Sequence, residues 1–385
     1  MKKFHVLTTA LAAAAFLAGC GGNDAGDQSP RIAFTQMVNF GDSLSDVGSY
    51  DVGVVKLQGG GHYSINGAGA TGLLYTNWTE FLAATLKMTQ PCAAETGLTP
   101  VAPFVPTVGD ETPTFHDASN GGTCLNYAQG GSRVTADVGP GNAALLNPAD
   151  SSTYSNAIGQ LTIPVQKQIT NYLTHNGGTF SANQLVTVLA GGNDIFINIA
   201  TFQAKVAAGE DQTQAATETV TAMGQAGGEL AAYVNQMILA KGATHVVVVN
   251  LPDVSITPYA LANPAAQPLV KQMVQTFNQQ LSAGLTASAS LVYVDAFTAS
   301  EDQAVNMAQY GLTDVSHPAC DLTVVGSSLV CTKATLISAL TPNPATNPAT
   351  GANTYEYADS VHPTPYGYRL LSELVGEQLA IKGWL

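Results

Sequence analysis

A serine, an aspartate and a histidine in this chain have the types and order needed for acyl chemistry. Phe40-Gly41-Asp42-Ser43-Leu44-Ser45-Asp46 puts Ser43 just past a short apolar run. Far along the chain, Asp359-Ser360-Val361-His362 puts a carboxylate three residues ahead of an imidazole. A serine hydroxyl is a weak nucleophile until a base takes its proton, and the base works best when a carboxylate fixes its tautomer. The three roles point to hydrolysis or transfer of an acyl group. Asp314-Val315-Ser316-His317-Pro318 repeats the D-x-x-H-P spacing and offers a second candidate pair.

The elements that must position these groups alternate in type. Apolar runs at 37–40, 185–190, 245–251 and 291–294 read as strands, the third continuous enough to be buried on both faces. Between and after them, 77–86, 213–241, 268–288 and 366–381 carry apolar residues at helical spacing, the second interrupted by Gly227-Gly228. Such alternation predicts an α/β fold, with a central parallel sheet between two layers of helices. Sites in these sheets form at the carboxyl ends of strands. Ser43 and Asn193 each follow a strand, so both are expected at one rim. Segments 58–75, 91–123 and 316–355 are rich in Gly, Pro, Thr and Asn and read as surface insertions. The second is expected to form the pocket rim.

The familiar G-x-S-x-G nucleophile turn is missing, because Leu44-Ser45 follows Ser43 and no other serine completes the pattern. The chain instead resembles the GDSL, or SGNH, family of esterases and lipases. Four blocks match in order: Phe40 to Asp46; Asn126-Tyr127-Ala128-Gln129-Gly130-Gly131-Ser132; Gly191-Gly192-Asn193-Asp194; and Asp359-Ser360-Val361-His362-Pro363-Thr364 with Gly367-Tyr368. Asn250-Leu251-Pro252 also resembles a segment of the longer members. The resemblance implies an SGNH-type three-layer α/β/α sandwich with Ser43 as nucleophile, His362 as general base and acid, and Asp359 orienting His362. It implies an oxyanion hole formed by the N–H groups of Ser43 and Gly131 and the amide of Asn193. Neutral fixed donors suit the charge that develops on a tetrahedral intermediate. The choice of Gly131 over Gly130 follows from its spacing to Asn126. His362 is preferred over His317 because only the second D-x-x-H-P runs into an amphipathic helix, as in the family. No metal or cofactor is implied.

The expected activity is carboxylic ester hydrolysis by a serine esterase. A lipase, phospholipase or lipid acyltransferase of the same family is the nearest alternative. A reading from another class, a non-enzymatic surface lipoprotein that binds a ligand, has no need of all five of Ser43, Gly131, Asn193, Asp359 and His362.

The N-terminus has the pattern of an export signal. Lys2 and Lys3 precede an apolar run at 6–18, too short to span a bilayer comfortably. It closes in Leu17-Ala18-Gly19-Cys20, which resembles a bacterial lipobox. That implies a signal peptide at 1–19, lipid on Cys20, a flexible tether at 20–36 and a hydrolase domain at 37–385. Gly21, where an Asp would favour inner-membrane retention, favours an outer-membrane lipoprotein, facing periplasm or surface; secretion is the alternative. The formal charge is −14, and residues 1–19 remove two cations and no acid. With no basic cluster, nucleic acid is not an expected partner; an ester or lipid substrate and the membrane are, and the protein is expected to be a monomer. Of five cysteines, Cys92, Cys124, Cys320 and Cys331 remain beside Cys20, an even number suited to two disulfides. Three pairings are possible, and nearness favours Cys92–Cys124 and Cys320–Cys331. No CxxC or HExxH spacing supports a metal site.

Overall fold

The computed structural model describes residues 32–67, 73–97, 113–140, 162–338, 340 and 354–385. The signal-like segment, Cys20 and most of the tether lie outside them. Eight strands occur among the described residues: β1 (Gln36–Gly41), β2 (Glu95–Thr96), β3 (Thr114–Phe115), β4 (Gln184–Leu189), β5 (Val246–Val249), β6 (Leu291–Val294), β7 (Asp314–Pro318) and β8 (Tyr355–Tyr357). Four of them form one parallel sheet in the order β1-β4-β5-β6. Beyond β1 the chain at 125–129 runs alongside, exchanging Asn39 N–H to Leu125 O (3.1 Å) and Tyr127 N–H to Asn39 O (2.8 Å). The segment leading into Gly130 and Gly131 is thereby fixed to the strand leading into Ser43.

Side chains alternate across a strand, and here both faces are apolar. Val38, Phe40, Val186, Val188, Val246 and Val248 pack on one side, against the helices Val165–His175, Gly192–Ala207, Gln212–Tyr233 and Gln267–Gly284. Met37, Leu185, Leu189, Val247, Val249 and Val294 pack on the other, against Trp78–Thr85 and Pro365–Lys382. The result is the expected three-layer α/β/α sandwich. Two helix starts are written in the sequence. Asn77 and Glu80 form a capping box for the first of these last two helices, and Thr364 caps the second ahead of Pro365.

The expected interruption at Gly227-Gly228 does not occur. The helix runs through to Tyr233 and loosens only afterwards, in a π turn at Val234–Ile238. A Cβ at position 227 would lie 2.3 Å from the Phe277 carbonyl oxygen, so glycine serves close packing against Gln267–Gly284. The helices Val165–His175, Gly192–Ala207 and Ala296–Val305 are additions to the sequence expectation.

Cys92 is bonded to Cys124, and Cys320 to Cys331. No helix among the described residues is long and apolar enough to cross a membrane.

Candidate active site

The register of β1 on β4 sets Gly41 opposite Leu189. Two residues past one strand end stands Ser43, and four past the other stands Asn193, so both reach the same rim of the sheet. Gln168 fixes the end of β1, accepting from Gly41 N–H (2.9 Å) and donating to the Gly41 carbonyl (2.8 Å).

Ser43 meets His362 at this rim. Its Oγ lies 2.8 Å from His362 Nε2. The other ring nitrogen, Nδ1, lies 2.8 and 2.9 Å from the two carboxylate oxygens of Asp359. Asp359 also accepts from the N–H groups of Val361 (2.9 Å), His362 (2.8 Å) and Ser328 (3.0 Å). Burial pushes Asp359 up. The opposing His362 charge, its hydrogen bond and the other donors outweigh burial and hold the carboxyl well below the usual carboxylate range. An ionised, fully hydrogen-bonded Asp359 fixes the imidazole with its free nitrogen toward Ser43. The ring of Tyr63 packs on His362, with centroids 4.7 Å apart.

The three donors expected to form an oxyanion hole come from three elements. Asn193 Nδ2 donates to the Ser132 carbonyl at 2.8 Å, which orients the amide and leaves its second hydrogen. The Gly130 N–H is committed to Asp46, at 2.9 Å. Among the described residues the N–H groups of Gly131 and Ser43 meet no acceptor. Gly131 is thus the glycine with a free donor. Asp46 organises the turn beyond Ser43, accepting also from Gly48 N–H (2.9 Å), Ser49 N–H (2.8 Å) and the Ser49 hydroxyl. Asp194 accepts from Arg133 Nε (2.8 Å) and Val134 N–H (3.0 Å), tying the helix after Asn193 to the segment after Gly131. Asp42 accepts from Leu44 N–H (3.0 Å). Burial raises Asp42 to about 6, against the pull of that N–H and of His362.

The second D-x-x-H pair lies elsewhere. His317 Nδ1 is 2.9 Å from Asp314, but its side chain is 72% exposed and makes no contact with Ser43. Residues 91–97 and 113–123 do not line the cleft beside Ser43, contrary to the expected rim; 98–112 lie outside the described residues. The other two insertions brace the site instead. Asn66 Nδ2 donates to the Ser328 and Cys331 carbonyls, both at 3.1 Å. That holds the Cys320–Cys331 loop, which supplies the Ser328 N–H to Asp359. Tyr63, Gln168 and Ser328 carry no sequence signal for these roles.

The cleft has a volume of about 100 Å³ and is partly open to solvent. Ser43, Asn193 and His362 line it with Leu44, Leu189, Phe196, Leu251, Val254, Val361, Leu371 and Leu374. No group of three or more His, Cys, Asp or Glu arranged to hold a metal occurs among the described residues. The set can take a proton from Ser43 and stabilise negative charge on a nearby oxygen.

A family model described as GDSL-like Lipase/Acylhydrolase matches residues 37–375. No curated protein matches the chain.

Proposed function

The chain belongs to the GDSL-like lipase/acylhydrolase family, whose members act on esters, and from that premise we propose that it is a serine esterase working through an acyl-enzyme on Ser43. The observation that carries this reading is the unbroken line from Ser43 Oγ through His362 to Asp359, with contacts of 2.8 Å at each step.

His362 Nε2 takes the Ser43 proton as Oγ attacks the ester carbonyl carbon. The negative oxygen of the tetrahedral intermediate is met by the N–H groups of Ser43 and Gly131 and by Asn193 Nδ2. Collapse breaks the bond to the alcohol oxygen, which leaves with the proton from His362. Water then attacks the acyl-enzyme, His362 accepting its proton, and the acid departs as Ser43 recovers its own. The mainly apolar lining of the cleft suits the hydrocarbon part of an ester.

The protein acts outside the cytoplasm, cleaved before Cys20, lipidated there and held at the outer membrane by the tether 20–36 ahead of the hydrolase domain 37–385. The lipobox-like Leu17-Ala18-Gly19-Cys20 supports this, and two disulfides fit an oxidising compartment.

A fluorophosphonate probe, which phosphonylates activated serines, tests the mechanism. Labelling of Ser43, located by mass spectrometry and absent in Ser43→Ala, is expected. A folded protein that takes no label, or takes it at another serine, contradicts the assignment.

A further inference from the structure

One polar side chain in the cleft wall has no part in the mechanism above. Glu356, in the middle of β8, lines the same cleft as Ser43, Asn193 and His362. Its Oε2 is buried and meets no hydrogen-bond donor. Nor does it form an ion pair among the described residues, and no cation acts on its carboxyl. Burial alone raises its carboxyl to about 7. Two other polar groups of the lining are satisfied within the protein: Thr257 Oγ1 donates to Val254 O and Ser300 Oγ to Phe297 O, both at 2.8 Å.

A buried carboxyl oxygen without a partner is destabilising, and most buried polar groups are paired. The backbone carbonyl of Glu356 makes the local contact, accepting from Thr364 N–H at 2.8 Å, and an apolar side chain would allow the same bond. Gly367 lines the cleft beside it, and a Cβ there would lie 2.8 Å from the Glu356 backbone O and 2.9 Å from its Oε1. A carboxyl that lines a substrate cleft and meets no donor from the protein is suited to a donor brought by the substrate.

We propose that Glu356 is a specificity-determining residue whose carboxyl hydrogen-bonds a hydroxyl carried by the substrate away from the scissile ester. This rests on the serine esterase reading above. The hydroxyl can belong to the acyl half or the alcohol half, since the chemistry of recognition is the same. A carboxyl accepts from a hydroxyl in either protonation state and, when neutral, also donates to one.

The test compares kcat/KM for matched esters in two arms. One sets p-nitrophenyl 3-hydroxybutyrate against p-nitrophenyl butyrate; the other sets glyceryl butyrate against ethyl butyrate. The wild-type protein is expected to favour the hydroxylated member of one arm, and that arm identifies the half that carries the hydroxyl. In Glu356→Leu the ratio of hydroxylated to plain ester falls about tenfold or more; Glu356→Gln, which keeps an acceptor, retains part of it. Because the buried oxygen that is removed has no partner, Glu356→Leu is expected to melt near the wild-type temperature. An unchanged ratio in both arms, or a lower melting temperature with equal loss on all esters, overturns the proposal and leaves the esterase standing. A folded wild-type protein inactive on all four esters and unlabelled at Ser43 removes the esterase reading and this proposal with it.

Discussion

Replacing Asp46 by asparagine tests how the turn beyond the nucleophile holds the oxyanion donors. One carboxylate oxygen accepts from the Gly48 and Ser49 N–H groups, and the other from the Ser49 hydroxyl and Gly130 N–H. Asparagine keeps one acceptor oxygen and turns the other into a donor. The Ser49 hydroxyl can reverse and accept; the Gly130 N–H has no such freedom and is left facing an N–H₂ group. An unsatisfied buried donor costs about 1–3 kcal/mol, and loss of charge assistance weakens the two bonds that remain. Relief of the carboxylate's own burial offsets part of this, since burial is what raises Asp46 above the ordinary range. A net loss of about 2 kcal/mol is expected, or roughly 3 °C in Tm for a domain of about 350 residues. Release of Gly130 also moves Gly131, its neighbour. Loss of one oxyanion donor lowers kcat about 10²-fold, so Asp46→Asn should lower kcat by up to that factor with little change in KM. Calorimetry and steady-state kinetics on one ester measure both effects. Wild-type Tm and kcat together would refute the argument. A lower Tm with unchanged kcat would refute the link from Asp46 through Gly130 to the oxyanion site.

Asn193→Ala removes a donor without disturbing the Ser43–His362 contact, so kcat should fall about 10²–10³-fold while probe labelling of Ser43 persists. Changing both Cys320 and Cys331 to serine opens a loop spanning 11 residues of sequence separation; chain entropy puts the loss near 3 kcal/mol. Because that loop carries the Ser328 N–H that meets Asp359, kcat should fall as well as Tm. Glu95 is raised to about 7, chiefly by burial and despite Lys167. A carboxyl with a raised folded-state pKa binds protons more tightly when folded, so its burial penalty is absent below about 4.5 and grows as pH rises through 7. Glu95→Gln should therefore flatten the fall in stability between pH 5 and 8 and be more stable at pH 8 by about 1–3 kcal/mol; urea unfolding at both pH values measures it.

The strands were legible because a sheet covered on both faces forces continuous apolar runs, as at Val246–Val249. The residues of the candidate site were legible by type, since few side chains can serve as nucleophile, base or neutral donor. The choice of Gly131 rested on spacing, and its physical basis appeared only with the commitment of the Gly130 N–H to Asp46. Gly227-Gly228 misled because a glycine chosen for close helix packing looks, in sequence, like one chosen to break a helix. The braces were illegible for a different reason. Gln168, Tyr63, Asn66 and Ser328 act through contacts that span much of the chain, and nothing local marks them.

Hydrolysis of p-nitrophenyl butyrate by the purified protein, beside Ser43→Ala and His317→Ala, tests the central claim most directly. Hydrolysis that disappears in Ser43→Ala and persists in His317→Ala is the predicted result. Activity that survives in Ser43→Ala, or depends on His317, would contradict the assignment of Ser43 and His362 as nucleophile and base.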